Sequence, residues 1–540
     1  MKRKLVVSIL MLAFAMSACG EETGSDRGSV TDQQRTEPET VVDLPLETPT
    51  VEPTEAPEPT PEVITTEPVV YDGEICPLEI NIESVYDGWN SDDYNYSAHI
   101  TAPEITLETE GFDALAKAVN NYGMSMQKFA TDNDLRDMTN MCKEMQAANP
   151  EPNDSVYMVT EYTTTVNRAD SVVVSFLTQQ YVDYAGAHPG SVFTTKTFDS
   201  VTGEALDIYD VVADDQIDAL PGLIADALLE KYEDVDFYEP ENLENTIYNM
   251  LGMNSDLTYT LDYLGISFYF SAYELAPYAY GAQFVTFRYE DYPDLVNEKY
   301  QETTDNFIYP LNLYGENELP DGRHLDLSLV TFGEQYEDGC SLEMDLDGNH
   351  TSYELYDAFD MTPWLLHCND RDYMYLEWST YGDYALLSIF DLNGSEAQFV
   401  QEYTAWFLGS PTDPENLKLY NRGDLLSTVG IYRYYTIGKD GVPEAKTDYH
   451  YVSSDLSLTL KKDLTCQCRN DFDAPEDYTE EKLAKGTKIT FYAQNEDEGW
   501  VDFTLSDGRF VRIYVDANDY PRTVDGVDIN DVFNDLFWAG

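Results

Sequence analysis

Between Gly20 and Val70 the chain carries no aromatic residue, while eight prolines from Pro38 to Pro68 sit among Glu, Thr and Val, as in ETPTVEPTEAPEPTPE. A segment of that composition cannot bury enough apolar surface to offset the entropy of ordering it, and repeated proline stiffens it toward an extended spacer. The same stretch holds 13 acidic and 2 basic residues, so self-repulsion extends it further. At about 3 Å per residue such a tether reaches on the order of 100 Å. A folded structure therefore has to be built from the residues after Val70. There the composition reverses: the chain has 42 Tyr and 23 Phe, and 43% of its residues are hydrophobic, far too apolar for a disordered acidic polymer. The whole chain carries 102 acidic and 30 basic residues, a formal charge of −72, which excludes nucleic acid as a default partner because phosphates need clustered Lys and Arg.

The N-terminus, MKRKLVVSILMLAFAMSAC, places Lys2, Arg3 and Lys4 before an apolar run from Leu5 to Ala15. That run is too short to span a hydrocarbon core of ~20 residues and reads as an export signal over residues 1–19. Ser17 and Ala18 before Cys19 resemble the bacterial lipobox, with Met16 in place of the commoner Leu. The expectation is lipidation at Cys19, anchoring the chain to the outer face of the cell membrane, with residues 20–70 as the tether. Six cysteines remain: Cys76, Cys142, Cys340, Cys368, Cys466 and Cys468. They are too scattered for a disulfide framework. Cys466 and Cys468 form the one close pair, and with no His nearer than His450 they make a poor zinc site.

Three folded regions come after the tether, an α+β arrangement overall. Residues 71–308 open with strand alternation in YNYSAHITAPEITLE. Next, Phe112, Leu115, Val119, Tyr122, Met126 and Phe129 fall on one face of a helix. The residues from Val156 to Val212 read as a strand meander with a turn at Val201-Thr202-Gly203-Glu204. A helical pair at Gln216–Tyr232 and Glu241–Met250 and two further strands complete the region. Residues 309–453 alternate apolar and polar positions between Asp-Gly, Asn-Gly and Gly-Asp pairs, as a β-sandwich or partial propeller does. Residues 454–540, with Gly499-Trp500 opening a strand and a turn at Ser506-Asp507-Gly508, look like a small SH3-like β-barrel, with a purely packing role for Trp500 equally open.

Two motifs carry a family resemblance: Tyr184-Ala-Gly-Ala-His188-Pro189, and Tyr273-Glu-Leu-Ala-Pro277-Tyr278-Ala-Tyr280-Gly281. Together with the strands around them they closely resemble the RsiV/PdaC-like family, an extracytoplasmic domain shared by a lysozyme-sensing anti-sigma factor and a peptidoglycan deacetylase. The resemblance covers residues 71–308 and implies an α+β fold. It further implies a ligand such as cell-wall glycan or a lysozyme-like cationic protein. Two family features are missing. The signal and tether replace a cytoplasmic sigma-binding segment, and no two of the six histidines lie closer than seventeen positions, so the deacetylase metal site is absent.

No G-x-S-x-G elbow, H-E-x-x-H or G-x-x-x-x-G-K-[ST] loop occurs, so serine-hydrolase, zinc-protease and nucleotide chemistry lack their motifs. Asp345-Leu-Asp347-Gly348-Asn349 departs from the EF-hand pattern, with Gly fourth and Tyr356 twelfth, and reads as a hairpin turn. No metal or cofactor is expected. His188, on a Gly/Pro turn, either bonds nearby backbone or touches a ligand. Tyr273 and Tyr278 flank the rigid Pro277, where the rings either form a binding surface or pack as core. The reading is a non-enzymatic surface lipoprotein whose candidate ligand-binding residues are Tyr184, His188, Tyr273 and Tyr278. The alternative is a cell-wall glycan hydrolase using an unrecognised carboxylate pair among the many acidic residues.

Overall fold

In the computed structural model, which describes residues 75–539 apart from 153, 253–256, 333–338, 381–384, 455, 475–477 and 519, strands dominate over helices. The export signal, Cys19 and the tether lie outside the described residues. Strands β1 (Ile80–Asn90) and β2 (Tyr96–Leu107) pair antiparallel. The chain then leaves the sheet through helices α1 (Asp113–Phe129) and α2 (Arg136–Ala148), joined by a π-helical turn, and returns as β3 (Val156–Ala169), parallel to β2. A parallel neighbour requires such a crossover, whose helices cover one face of the sheet. As the spacing predicts, α1 buries Leu115, Val119 and Met126 there, with Phe112 beside them. Gly123 allows the close approach, since a Cβ at that position would lie 3.0 Å from the Ile105 amide nitrogen. Phe129 departs from the expected face and is 53% exposed, because the buried stripe steps four residues from Met126 to Ala130.

Strands β4 (Val173–Asp183), β5 (Gly190–Asp199) and β6 (Ala205–Leu206) complete a six-stranded sheet in the order β1 to β6. The turn at 201–204 forms as expected, with the Asp199 carboxylate accepting from the amides of Val201 and Thr202 at 3.0 and 2.9 Å. After α3 (Ile208–Val211), helices α4 (Leu220–Lys231) and α5 (Leu243–Gly252) precede a second sheet of β7 (Thr258–Leu261), β8 (Gly265–Phe270) and β9 (Gln283–Arg288). Where the sequence suggests two strands there are three, because the turn at Asp262–Leu264 divides the first.

This second sheet packs on the sheet face opposite α1. Its Tyr259 amide donates to Thr195 Oγ1 and its Leu261 amide to Ser175 Oγ, both at 3.1 Å, while Phe193 meets Tyr269. Helices α4 and α5 contribute Ile224, Leu228, Ile247 and Leu251 to the same core as Ile266, Phe268 and Val173. Near the end of β3, Arg168 is fully buried and paired with Asp170 at 2.7 Å.

The rest of the chain is strand-rich. A five-stranded sheet runs from Phe307–Pro310 through Ala358–Cys368, Arg371–Thr380 and Ala385–Asp391 to Gln398–Tyr403, beside a four-stranded sheet spanning Gly315–Glu318 to Asn349–Leu355. At the turn of the latter, the Gly348 amide donates to Asp345 Oδ1 at 2.6 Å, which is hairpin chemistry. A third, twelve-stranded sheet takes strands from both sides of residue 453: Val429–Ile437 pairs with His450–Val452, which pairs with Lys488–Asn495. Trp500 is 3% exposed and packs against Tyr449 and the Arg512 guanidinium, a core residue. Cys466 and Cys468 share a face with their sulfurs 4.0 Å apart, and burial pushes the Cys466 thiol up to about 12. Among the described residues no helix is long and apolar enough to cross a membrane.

Asp262, in the β7–β8 turn, supplies a pH test. Burial raises its carboxyl from 3.8 to about 7, the Ser267 hydroxyl donates to Oδ2 at 2.7 Å, and Oδ1 has no partner among the described residues. A carboxyl raised in the folded state contributes stability that is present below pH ~4 and lost as the pH rises through about 7. Asp262→Asn is therefore expected to stabilise the protein at pH ~8 by at least about 1 kcal/mol and to change little at pH ~4, as read by urea unfolding at both values.

Candidate functional site

The β4–β5 hairpin and the loop between β8 and β9 meet at one end of the two packed sheets. In the hairpin, Ala185 adopts φ +55° and its amide is held by Asp183 Oδ1 at 2.8 Å, which turns the chain toward His188. In the facing loop the Ser271 amide donates to Glu274 Oε2 at 2.7 Å, and Ser271 Oγ accepts from the Phe193 amide at 3.0 Å, tying the loop to β5. Beyond it Pro277 opens a single 3₁₀ turn at Tyr278–Tyr280, which Gly281 ends at φ +66°.

His188 lies between these segments. Its Nδ1 donates to the Pro189 carbonyl at 2.9 Å, so in the neutral ring Nε2 is the acceptor for the Tyr273 hydroxyl at 3.2 Å. The Tyr278 ring stacks on the imidazole at 4.1 Å between centroids and donates its hydroxyl to the same Pro189 carbonyl at 2.9 Å. Tyr273 stacks on Tyr278 at 5.4 Å. The three rings form one cluster with donor and acceptor groups at its edge, and Tyr273 is 54% exposed. It is also strained: φ is +74°, a region costly for a bulky L-residue and tolerated where surrounding structure over-determines it.

Of the four residues that the sequence singles out, the structure brings together His188, Tyr273 and Tyr278. Tyr184 stands apart: its ring is exposed on the helix side of the sheet, beside Thr160 and Asp134, and burial raises its hydroxyl.

The cluster continues onto residues that the sequence does not single out. On the same face as the second sheet, beyond the part that the second sheet covers, cross-strand register aligns Tyr86, Thr101, Glu161, Tyr181 and Ser191 in a row. Tyr181 lies near Tyr278, and burial followed by Asp183, Glu161 and Tyr278 raises its hydroxyl. Burial also raises the Glu161 carboxyl. Further along, His99 is stacked between Tyr86 and Tyr157, each at 5.2 Å, and hydrogen-bonds the Tyr86 hydroxyl. Two-residue alternation places Tyr157, Val159 and Glu161 on one face, so this signal is legible strand by strand. Which strands sit side by side is not. Among the described residues no group of three or more His, Cys, Asp or Glu is arranged to hold a metal ion.

A family model described as a protein of unknown function, DUF3298, matches residues 209–290. That segment is a DUF3298 domain. Two crystal structures of DUF3298 proteins resemble part of the chain. One, from Bacteroides fragilis NCTC 9343, is 18% identical, covering 42% of this chain and 95% of that one with a TM-score of 0.33. The other, from Pseudomonas aeruginosa PAO1, is 13% identical, covering 42% of this chain and 98% of that one with a TM-score of 0.28. No curated protein matches. The DUF3298 segment supplies α4, α5, β7 to β9 and the loop bearing Tyr273 and Tyr278, whereas His188 comes from the hairpin before it.

The strain at Tyr273 gives a direct test of whether its ring is core or surface. Tyr273→Gly removes the φ penalty together with an exposed ring, so unfolding free energy from urea melts is expected to stay level or rise by up to about 1 kcal/mol. A loss above about 2 kcal/mol would identify the ring as core packing.

Proposed function

We propose that this chain is a non-enzymatic cell-surface lipoprotein that captures a cationic, wall-active protein such as lysozyme through the patch formed by His188, Tyr273 and Tyr278. The observation that carries this reading is the exposed, strained Tyr273 joined to His188 across two loops, because strain of this kind clusters at binding sites. Tyr rings supply contact area and a hydroxyl at low entropic cost. Acidic groups adjoin them: Glu274 in the same loop, Asp183 at the base of the hairpin, and Asp236, which accepts from the Tyr280 hydroxyl at 2.9 Å. A formal charge of −72 would speed the approach of a basic partner at low salt.

In this reading Cys19 bears the lipid and residues 20–70 hold the binding region away from the membrane. The binding region is an RsiV/PdaC-like α+β domain over 71–308. It is followed by strand-rich regions over 309–453 and 454–540 that share the twelve-stranded sheet, the second of them similar to a small SH3-like barrel. The resemblance of the two motifs and the DUF3298 match over residues 209–290 support the first of these regions.

Titration calorimetry of the chain against lysozyme, and separately against muropeptides, tests the proposal. Lysozyme is expected to give heat, with Tyr273→Ala and Tyr278→Ala each weakening binding about tenfold. Heat from muropeptides alone would move the site to wall glycan, and heat from neither would remove it. Cys19→Ser is expected to shift the chain from the membrane fraction to the soluble fraction, read by immunoblot after fractionation.

A further inference from the structure

Far from that patch, a cavity of about 760 Å³ opens between the start of β1 and the twelve-stranded sheet. Its size falls in the range of small-molecule sites. At its base Lys418 is only 13% exposed and is held by two carboxylates, Glu108 at 2.5 Å and Glu79. Burial works against the ammonium, yet the bonds from Glu108 and Glu79 hold it above its ordinary value. The Tyr434 ring lies 5.3 Å from Lys418 Nζ, and Tyr432 packs edge-on to Tyr434. Beside it, the Thr412 hydroxyl donates to the Leu78 carbonyl at 2.7 Å and ties the segment before β1 to the residues leading into the twelve-stranded sheet.

The lining decides the ligand class by its donors and acceptors. Four carboxylates line the cavity, Glu79, Glu83, Glu108 and Asp413, against one ammonium, Lys418, already paired with Glu79 and Glu108, so an anion would meet repulsion and no free cation among the described lining residues. Hydroxyls are abundant, from Tyr432 and Tyr434 to Ser453 and Thr490, and burial pushes the Tyr432 hydroxyl up to about 12. A simple cation would use the carboxylates and none of the hydroxyl donors. An uncharged polyhydroxylated ring uses all three elements: carboxylates as acceptors, hydroxyls as both donors and acceptors, and tyrosine rings against its C–H faces. We infer that this cavity is a saccharide-binding site, separate from the His188 patch and independent of what that patch binds.

Calorimetry of the chain with chitotetraose in its fully N-acetylated, uncharged form tests this at about 0.15 M ionic strength, where unspecific attraction to the acidic surface is screened. Binding is expected, weakened at least about fivefold by Tyr434→Ala and by Glu83→Gln and unchanged by Tyr273→Ala. Glu83 is exposed, so its variant tests the site even if Tyr434→Ala disturbs folding. Absence of heat, or heat untouched by both cavity variants, overturns the inference. Spermidine binding that Glu83→Gln weakens, with none by chitotetraose, overturns it in favour of a cation site.

Discussion

In a chain so rich in carboxylates, the organising interaction is a buried cation. Arg168 donates from Nε to Asp170 at 2.7 Å and from its terminal nitrogens to the carbonyls of Tyr300 at 2.6 Å and Glu302 at 2.5 Å. Asp170 Oδ1 in turn accepts from the amides of Val172 and Val173 at 2.8 and 3.0 Å, which fixes the turn from β3 into β4. One side chain thereby sets the hairpin of the first sheet and holds the segment by which the chain leaves the second sheet. A pair of this kind contributes little net stability against an apolar alternative, but removing one partner strands a buried charge at about 3–5 kcal/mol. Its role is to specify arrangement.

That arrangement creates the candidate site. With β4 and β5 fixed in the first sheet, the second sheet stacks on them through the Thr195 and Ser175 hydroxyls, which brings the loop after β8 over the β4–β5 hairpin. His188 and Tyr273 are 85 residues apart in sequence and become neighbours only because the sheets pack. The same layering leaves the β1–β3 end of that face open, with Tyr86 and Glu161 on it and Tyr181 beside them on β4.

Much of this is legible residue by residue. The apolar spacing of α1, the turn at 201–204 and the meander of β3 to β5 emerge from periodicity and turn chemistry. Periodicity misplaces Phe129 because helical drift moves a buried stripe by one position, which a six-residue pattern does not resolve. β1 escapes a reading by pattern because its C-terminal half, from Val85 to Asn90, is mostly solvent-facing and shows no clean alternation. Tyr184 shares a motif with His188 but lies on the helix side, since the alternation of β4 continues one residue past Asp183 and puts it on the face of Gln180, which also reaches Asp134. The pairing of strands across residue 453 is long-range, and nothing local encodes it.

Whether the two loops form one binding surface is decided most directly by hydrogen–deuterium exchange of the whole chain, with and without lysozyme, which reads both loops at once. Lysozyme is expected to slow exchange in residues 184–190 and 271–283 together. Slowed exchange in only one of them, or protection confined to the sheet between residues 406 and 534, would contradict a shared surface.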